Sequence, residues 1–287
     1  MSLPKDLPVV DHHCHLSPAG DAVGAARRFR RAGGTHLFLA TQNYSSEVPL
    51  SIERYANQFS TTEELARLVE RETGVTVYVV VAPYPIDLVP ASRALGVTGA
   101  LELHRSALDL AGRWVRERRA VALGEVGLPH FPVDPDVERA ADQALDHAFE
   151  VARDSDCPAV VHSADLDPEG YRDLAKRADR AGLRRERVVK HYARSRLATA
   201  ERSSVTPSYL ARRELVRDVL SDPGPWFLET DYLDDPARPG AVLDLATVPR
   251  RAEAIAETDA DRLRVPFVES IELVYGFRPE VAQREGP

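Results

Sequence analysis

The sequence predicts an α/β protein, a single (β/α)8 TIM barrel spanning residues 1–287. Three observations predict it. A chain of 287 residues has the size of one such barrel, which takes about 250 residues before insertions. Short runs rich in Val, Leu and Ile alternate with Ala-, Arg- and Glu-rich amphipathic stretches, the pattern of a parallel sheet covered by helices. The β-like runs number eight, and no internal repeat, low-complexity tract or linker divides the chain. Two separate α/β halves are the less favoured alternative.

Strands are expected at 8–15, 35–41, 76–82, 120–126, 159–163, 187–191, 204–207 and 226–231. The seventh is the least apolar of them. Helices are expected at 21–31, 62–71, 106–118, 137–153, 171–181 and 210–220, where apolar residues recur with helical spacing. Gly33, Gly34, Gly74 and Gly182 stand where helices should end, and Asp134-Pro135 where one should begin.

Composition narrows the function class. With 44% hydrophobic and 29% charged residues, the chain has enough apolar surface for a large core and is neither disordered nor fibrous. The first ten residues hold one Lys, two prolines and no apolar run of signal-peptide length, and the longest apolar stretch, near 75–82, is too short to span a bilayer. A soluble, cytoplasmic protein without membrane partners is expected. Cys14 and Cys157 make no disulfide framework and are expected as free thiols. The net charge of -8 counts against broad attraction to nucleic acid but leaves room for a local basic groove, so charge does not exclude a nuclease. Lysine occurs only at Lys5, Lys176 and Lys190 beside abundant arginine, a bias to which we attach no catalytic role.

Residues able to carry chemistry gather at predicted strand ends. Strand one ends in Asp11-His12-His13-Cys14-His15. Side chains alternate along a strand, so His13 and His15 share a face with about 7 Å between their Cα atoms, close enough to grip one ion. Cys14 then faces the helix layer, and His12 has a structural role. Later strand ends present Glu125 in Leu123-Gly-Glu-Val-Gly-Leu128, His162 in Val160-Val-His-Ser163, His191 in Val189-Lys-His191 and Asp231 in Leu228-Glu-Thr-Asp231. In an α/β barrel the C-terminal strand ends converge on one face, which makes these six neighbours in space. Four His, one Glu and one Asp suffice for two metal ions. Singly, each has a structural explanation: a satisfied core histidine or a helix cap. His36, His104 and His147 fall at a strand start or within helices and are expected to be structural, while His130 follows strand four in a loop within reach of substrate.

The ordered set of His-x-His, Gly-Glu-x-Gly-Leu, Val-His, a strand-end His and Glu-Thr-Asp resembles the TatD-related branch of the amidohydrolase superfamily, over strands one to eight. The stretch 229–240 followed by Thr247-Val-Pro-Arg250 resembles an archaeal subgroup of these hydrolases. The resemblance implies that His13, His15 and Asp231 bind one metal, that His162 and His191 bind the other, and that Glu125 bridges both. It departs where Pro129-His130 follows Gly-Leu in place of an acidic residue, and in Lys190-His191-Tyr192-Ala193. The metal shell survives while the substrate shell changes.

The mechanism implied is hydrolysis by water whose pKa a metal pair lowers from near 16 towards about 7, with Asp231 as general base. Imidazole-rich ligation favours zinc, then manganese, with the resemblance adding magnesium. Candidate substrate contacts are His130, Tyr192, Arg194, Ser208, Asp235 and Arg238, the arginines suiting phosphate or carboxylate. A DNase- or exonuclease-like phosphoesterase leads, followed by a hydrolase of a small ester, amide or lactone. A purely structural zinc protein is disfavoured, because such sites are closed by four ligands whereas six over two ions leave open positions.

Overall fold

Parallel strands need crossovers, and helices supply them along the chain. The computed structural model describes residues 3, 4 and 6–281; the remaining ends of the predicted 1–287 domain and Lys5 lie outside the described residues. The order is β1 (Val10–His15), α1 (Ala22–Arg31), β2 (His36–Ala40), α2 (Ile52–Thr73), β3 (Thr76–Val81), α3 (Leu88–Arg116), β4 (Ala122–Gly127) and α4 (Pro135–Asp154). It continues with β5 (Ala159–His162), α5 (Pro168–Ala181), β6 (Val188–Ala193), β7 (Thr206–Leu210), α6 (Arg213–Val219), β8 (Phe227–Glu229), β9 (Tyr232–Leu233), α7 (Thr247–Asp259) and α8 (Ser270–Tyr275). The sheet runs β8-β7-β6-β5-β4-β3-β2-β1-β9, with every adjacent pair parallel. β9 follows β8 after two residues and pairs with β1 through Cys14 and Tyr232. That pairing closes the sheet, and the fold is a TIM barrel.

Alternation along the strands builds two layers of core. Phe38, Ala40, Val80, Ala122, Val160 and Val189 pack together inside the barrel, whereas Leu37, Leu39, Val79, Val81, Leu123 and Val161 pack outward on α1 to α5. Gly124 belongs to the inner layer, and a Cβ there would stand 2.7 Å from Val80 Cγ1 and 2.8 Å from Val160 Cβ. On the side of the strand starts, Tyr275 of α8 packs against Phe38 and Phe227 and its hydroxyl lies 2.8 Å from His12 Nε2. His12, stacked on Phe227 at 3.9 Å between ring centres, is thus a floor residue.

Several boundaries differ from expectation. The eighth strand, expected unbroken over 226–231, splits at Asp231, whose left-handed φ of 49° turns the chain onto β1. The seventh begins two residues late because Ser203 and Ser204 both adopt positive φ. α2 starts ten residues early, capped by Ser51, and carries Thr61 and Thr62 internally with their hydroxyls donating to the Asn57 and Gln58 carbonyls. α3 also starts early but is broken at Gly96, and α7 and α8 were not expected at all. Both cysteines are buried free thiols. Among the described residues no helix is long and apolar enough to cross a membrane.

Candidate metal centre

The strand ends of the barrel bring all six predicted ligand candidates together. His13 and His15 come from β1, Glu125 from β4, His162 from β5 and His191 from β6. Asp231 joins them because its backbone N–H donates to the His13 carbonyl at 3.0 Å in the closure of the barrel. Two groups have ligand atoms near enough to one another to hold an ion: His13, His15 and Asp231, and Glu125, His162 and His191. In the first, His13 Nε2 and His15 Nε2 are 3.1 Å apart and each lies 3.7 Å from Asp231 Oδ1. In the second, Glu125 Oε1 lies 2.5 Å from His191 Nε2 and 3.1 Å from His162 Nδ1. Glu125 also reaches the first group, with Oε1 3.6 Å from His13 Nε2 and Oε2 3.7 Å from His15 Nε2.

Groups behind the cluster set which nitrogen faces it. His15 Nδ1 lies 3.2 Å from the Ala40 carbonyl, so Nδ1 carries the proton and Nε2 offers its lone pair to the site. His191 Nδ1 has Glu229 Oε1 at 3.5 Å, and that oxygen also accepts from the Tyr192 N–H at 2.7 Å. Glu229, fully buried with Oε2 unpartnered, also forms a third possible group with His13 and His191. At the entrance of this layer Gly127 has φ of 146°, and a Cβ on it would fall 1.9 Å from the His162 carbonyl oxygen. Any larger residue would displace the His162 backbone.

The electrostatics of the cluster suit a divalent cation. Burial drives Asp231 well above the usual carboxylate range, and the neighbouring Glu229, Glu125 and Asp11 push the same way. Burial alone would raise Glu125 too, but His191 and His162 hold it well below the ordinary value. His191 is raised against its own burial by Glu125 and Glu229, while burial and the facing His191 keep His13 well below its usual value, in the neutral form a ligand needs. Carboxylates that must either protonate or borrow a proton from one imidazole are in the state that a bound cation relieves. The nitrogen- and oxygen-rich donor set and the unpartnered Glu229 Oε2 fit divalent metal.

A cavity of about 690 Å³ opens over the cluster. Of the predicted substrate contacts, His130, Tyr192, Arg194 and Arg238 line it. Asp235 does not, but holds Arg238 Nε at 2.8 Å. Ser208 is removed from it, being fully buried within β7 with its hydroxyl unpartnered, so its place in a strand misled the expectation of access. Gln42, Tyr84, Ser163 and Asp165 also line the cavity without having been anticipated. Their signal was position, directly after the ends of β2, β3 and β5. Glu229 announces itself only as the carboxylate that ends the apolar Trp226-Phe227-Leu228 run and opens Glu229-Thr-Asp231.

The family pattern described as TatD related DNase matches residues 10–269. The chain belongs to the TatD-related family of hydrolases. That family is generally dependent on divalent metal, in keeping with the two ligand groups. An uncharacterised protein of Methanocaldococcus jannaschii is 29% identical over 98% of this chain and 100% of its own. The crystal structure of the TatD homologue YJJV of Escherichia coli covers 93% of this chain and 98% of its own at a TM-score of 0.60 and 22% identity. A TatD-like protein of Archaeoglobus fulgidus covers 93% of this chain and 100% of its own, with a TM-score of 0.62 and 15% identity.

Proposed function

We propose that this chain is a two-metal phosphoesterase, DNase- or exonuclease-like, working at the C-terminal face of the barrel. The observation that carries it is Glu125, whose two oxygens face both ligand groups at once. His13, His15 and Asp231 would hold one ion, His162 and His191 the other, and Glu125 both, with zinc first, manganese second and magnesium third. Bound there, the ions supply water of near-neutral pKa and polarise the bond to be cleaved. Asp231 presents Oδ1 to His13 and His15, leaving Oδ2 to take the proton of that water and return it to the leaving group. Arg194 and Arg238 suit the phosphate charge, Tyr192 and His130 the rest of the substrate, and Asp235 orients Arg238.

Hydrolysis of a small ester, amide or lactone is the second reading, favoured by a cavity whose volume lies within the range of small-molecule pockets. In either case we treat the chain as one catalytic domain, because β1 to β9 form one sheet. The buried free thiols suit a reducing, cytoplasmic compartment.

The test is metal reconstitution followed by a screen on single-stranded DNA, a generic phosphodiester and a panel of carboxylic esters. Close to two ions per chain are expected. On the substrate found, Asp231→Asn should lower turnover about 10²- to 10⁴-fold, the scale of a lost general base, with metal content checked in the same sample. No ion after reconstitution sinks the whole assignment, and near-normal turnover in a loaded Asn variant removes Asp231 from the proton path.

A further inference from the structure

His162 presents Nδ1 to the cluster, 3.1 Å from Glu125 Oε1 and 3.3 Å from His191 Nε2. A neutral imidazole that ligates through Nδ1 carries its proton on Nε2, and that N–H needs an acceptor. The group in place is another imidazole. His130 Nδ1 lies 2.8 Å from His162 Nε2, with the two ring centres 5.0 Å apart. On its other side His162 meets the edge of Tyr84 at 5.3 Å. His15, by contrast, gives its rear proton to a backbone carbonyl, and His191 lies against a buried carboxylate.

From this pairing we infer that His130 is a positioning residue for the second metal site: it accepts the His162 Nε2 proton, fixes the tautomer that leaves Nδ1 unprotonated, and holds the ring facing Glu125. Accepting at Nδ1 requires His130 to carry its own proton on Nε2. The atom left over for the cavity is then a hydrogen-bond donor, suited to an acceptor oxygen of the substrate. Because His130 belongs to the exposed segment after β4, the rear support of this ligand depends on a loop residue, unlike those of His15 and His191.

The inference rests on the assignment of His162 as a ligand, and the experiment separates the two. Zinc binding to the metal-stripped protein is titrated against a competing chelator. His130→Ala should weaken the second ion by about 10- to 100-fold, the usual effect of losing the group behind a ligating histidine, with the first ion unchanged. His130→Asn, whose Oδ1 falls where Nδ1 stood, should recover most of the affinity. His130→Gln, whose acceptor lies one bond further out, should not. Wild-type zinc affinities in His130→Ala overturn the inference, as does an Asn variant no better than Ala. His162→Ala is the control: if it keeps both ions, the metal-centre assignment itself fails. If it loses one while His130→Ala loses none, only the role of His130 falls.

Discussion

Glu125→Gln tests the shared ligand most directly, since it keeps the shape of the side chain and removes only its charge. The wild-type carboxylate places Oε1 at 2.5, 3.1 and 3.6 Å from nitrogens of His191, His162 and His13, and Oε2 at 3.7 Å from His15. Ions held by those same nitrogens would lie on either side of it. At an effective dielectric of about 20, opposite unit charges about 4 Å apart attract by about 4 kcal/mol, or about a thousandfold in a dissociation constant. A divalent ion doubles the attraction, while the amide oxygen and the relief of burying a charge return part of it. A loss of about a thousandfold at both sites is therefore expected, whereas His13→Ala should act chiefly on one ion. The assay is metal content by mass spectrometry after dialysis against graded chelator, paired with competition titration. Loss of a single ion, or wild-type affinity at both sites, would refute the bridging position.

Other consequences reach beyond the metal cluster. Arg202 and Asp222 are both fully buried and joined at 2.9 and 3.0 Å, so Asp222→Ala should cost about 3–5 kcal/mol by stranding the guanidinium. Urea denaturation measures this, and a loss under about 1 kcal/mol counts against it. Asp87 has burial as the cause of a pKa pushed up to about 7 from 3.8. Between those values the folded protein keeps a proton that the unfolded chain has released, so stability from this group is present below about pH 4 and lost as pH rises to about 7. Asp87→Asn should accordingly gain up to about 4 kcal/mol over wild type at pH 8 and nothing near pH 4; a gain equal at both pH values contradicts the assignment.

The aliphatic strands were legible because a barrel strand is covered on both faces, so runs such as Thr76–Val81 announce themselves without help from context. The ligand candidates were legible for a related reason: the architecture alone says that strand ends converge. What the pattern hides is backbone that departs from the period. A run from Trp226 to Asp231 reads as one strand, and only tertiary closure onto β1 explains the left-handed turn at Asp231. The first ten residues of α2 escaped because they run into polar Ser60-Thr61-Thr62, where Thr61 and Thr62 satisfy their hydroxyls on carbonyls of the preceding turn. α7 and α8 escaped for another reason, since Val248, Ala252, Ile271 and Val274 join the core that closes one end of the barrel instead of repeating the covering-helix pattern. Tyr84 and Gln42 could not be placed, because their contacts depend on the path of loops, and the partners of Glu229 in β8, His191 and the Tyr192 N–H, belong to a strand distant in sequence.

The same division separates the two halves of the site. Every candidate ligand but Asp231 stands on a strand, where pairing on both sides fixes its backbone, and Asp231 is tied to β1 by its own N–H. The cavity arginines have no such support. Arg238 is paired with Asp235 at 2.8 Å and Arg194 lies 4.0 Å from Asp165, and both guanidinium groups are more than half exposed. Ion pairs this exposed are worth about 0–1 kcal/mol. An incoming phosphate or carboxylate can therefore take either arginine from its aspartate at little cost, and the aspartates keep both positive charges over the cavity until it arrives. Rigid strands thus suit the chemistry common to the family, while the loops leave room for recognition to differ from one member to another.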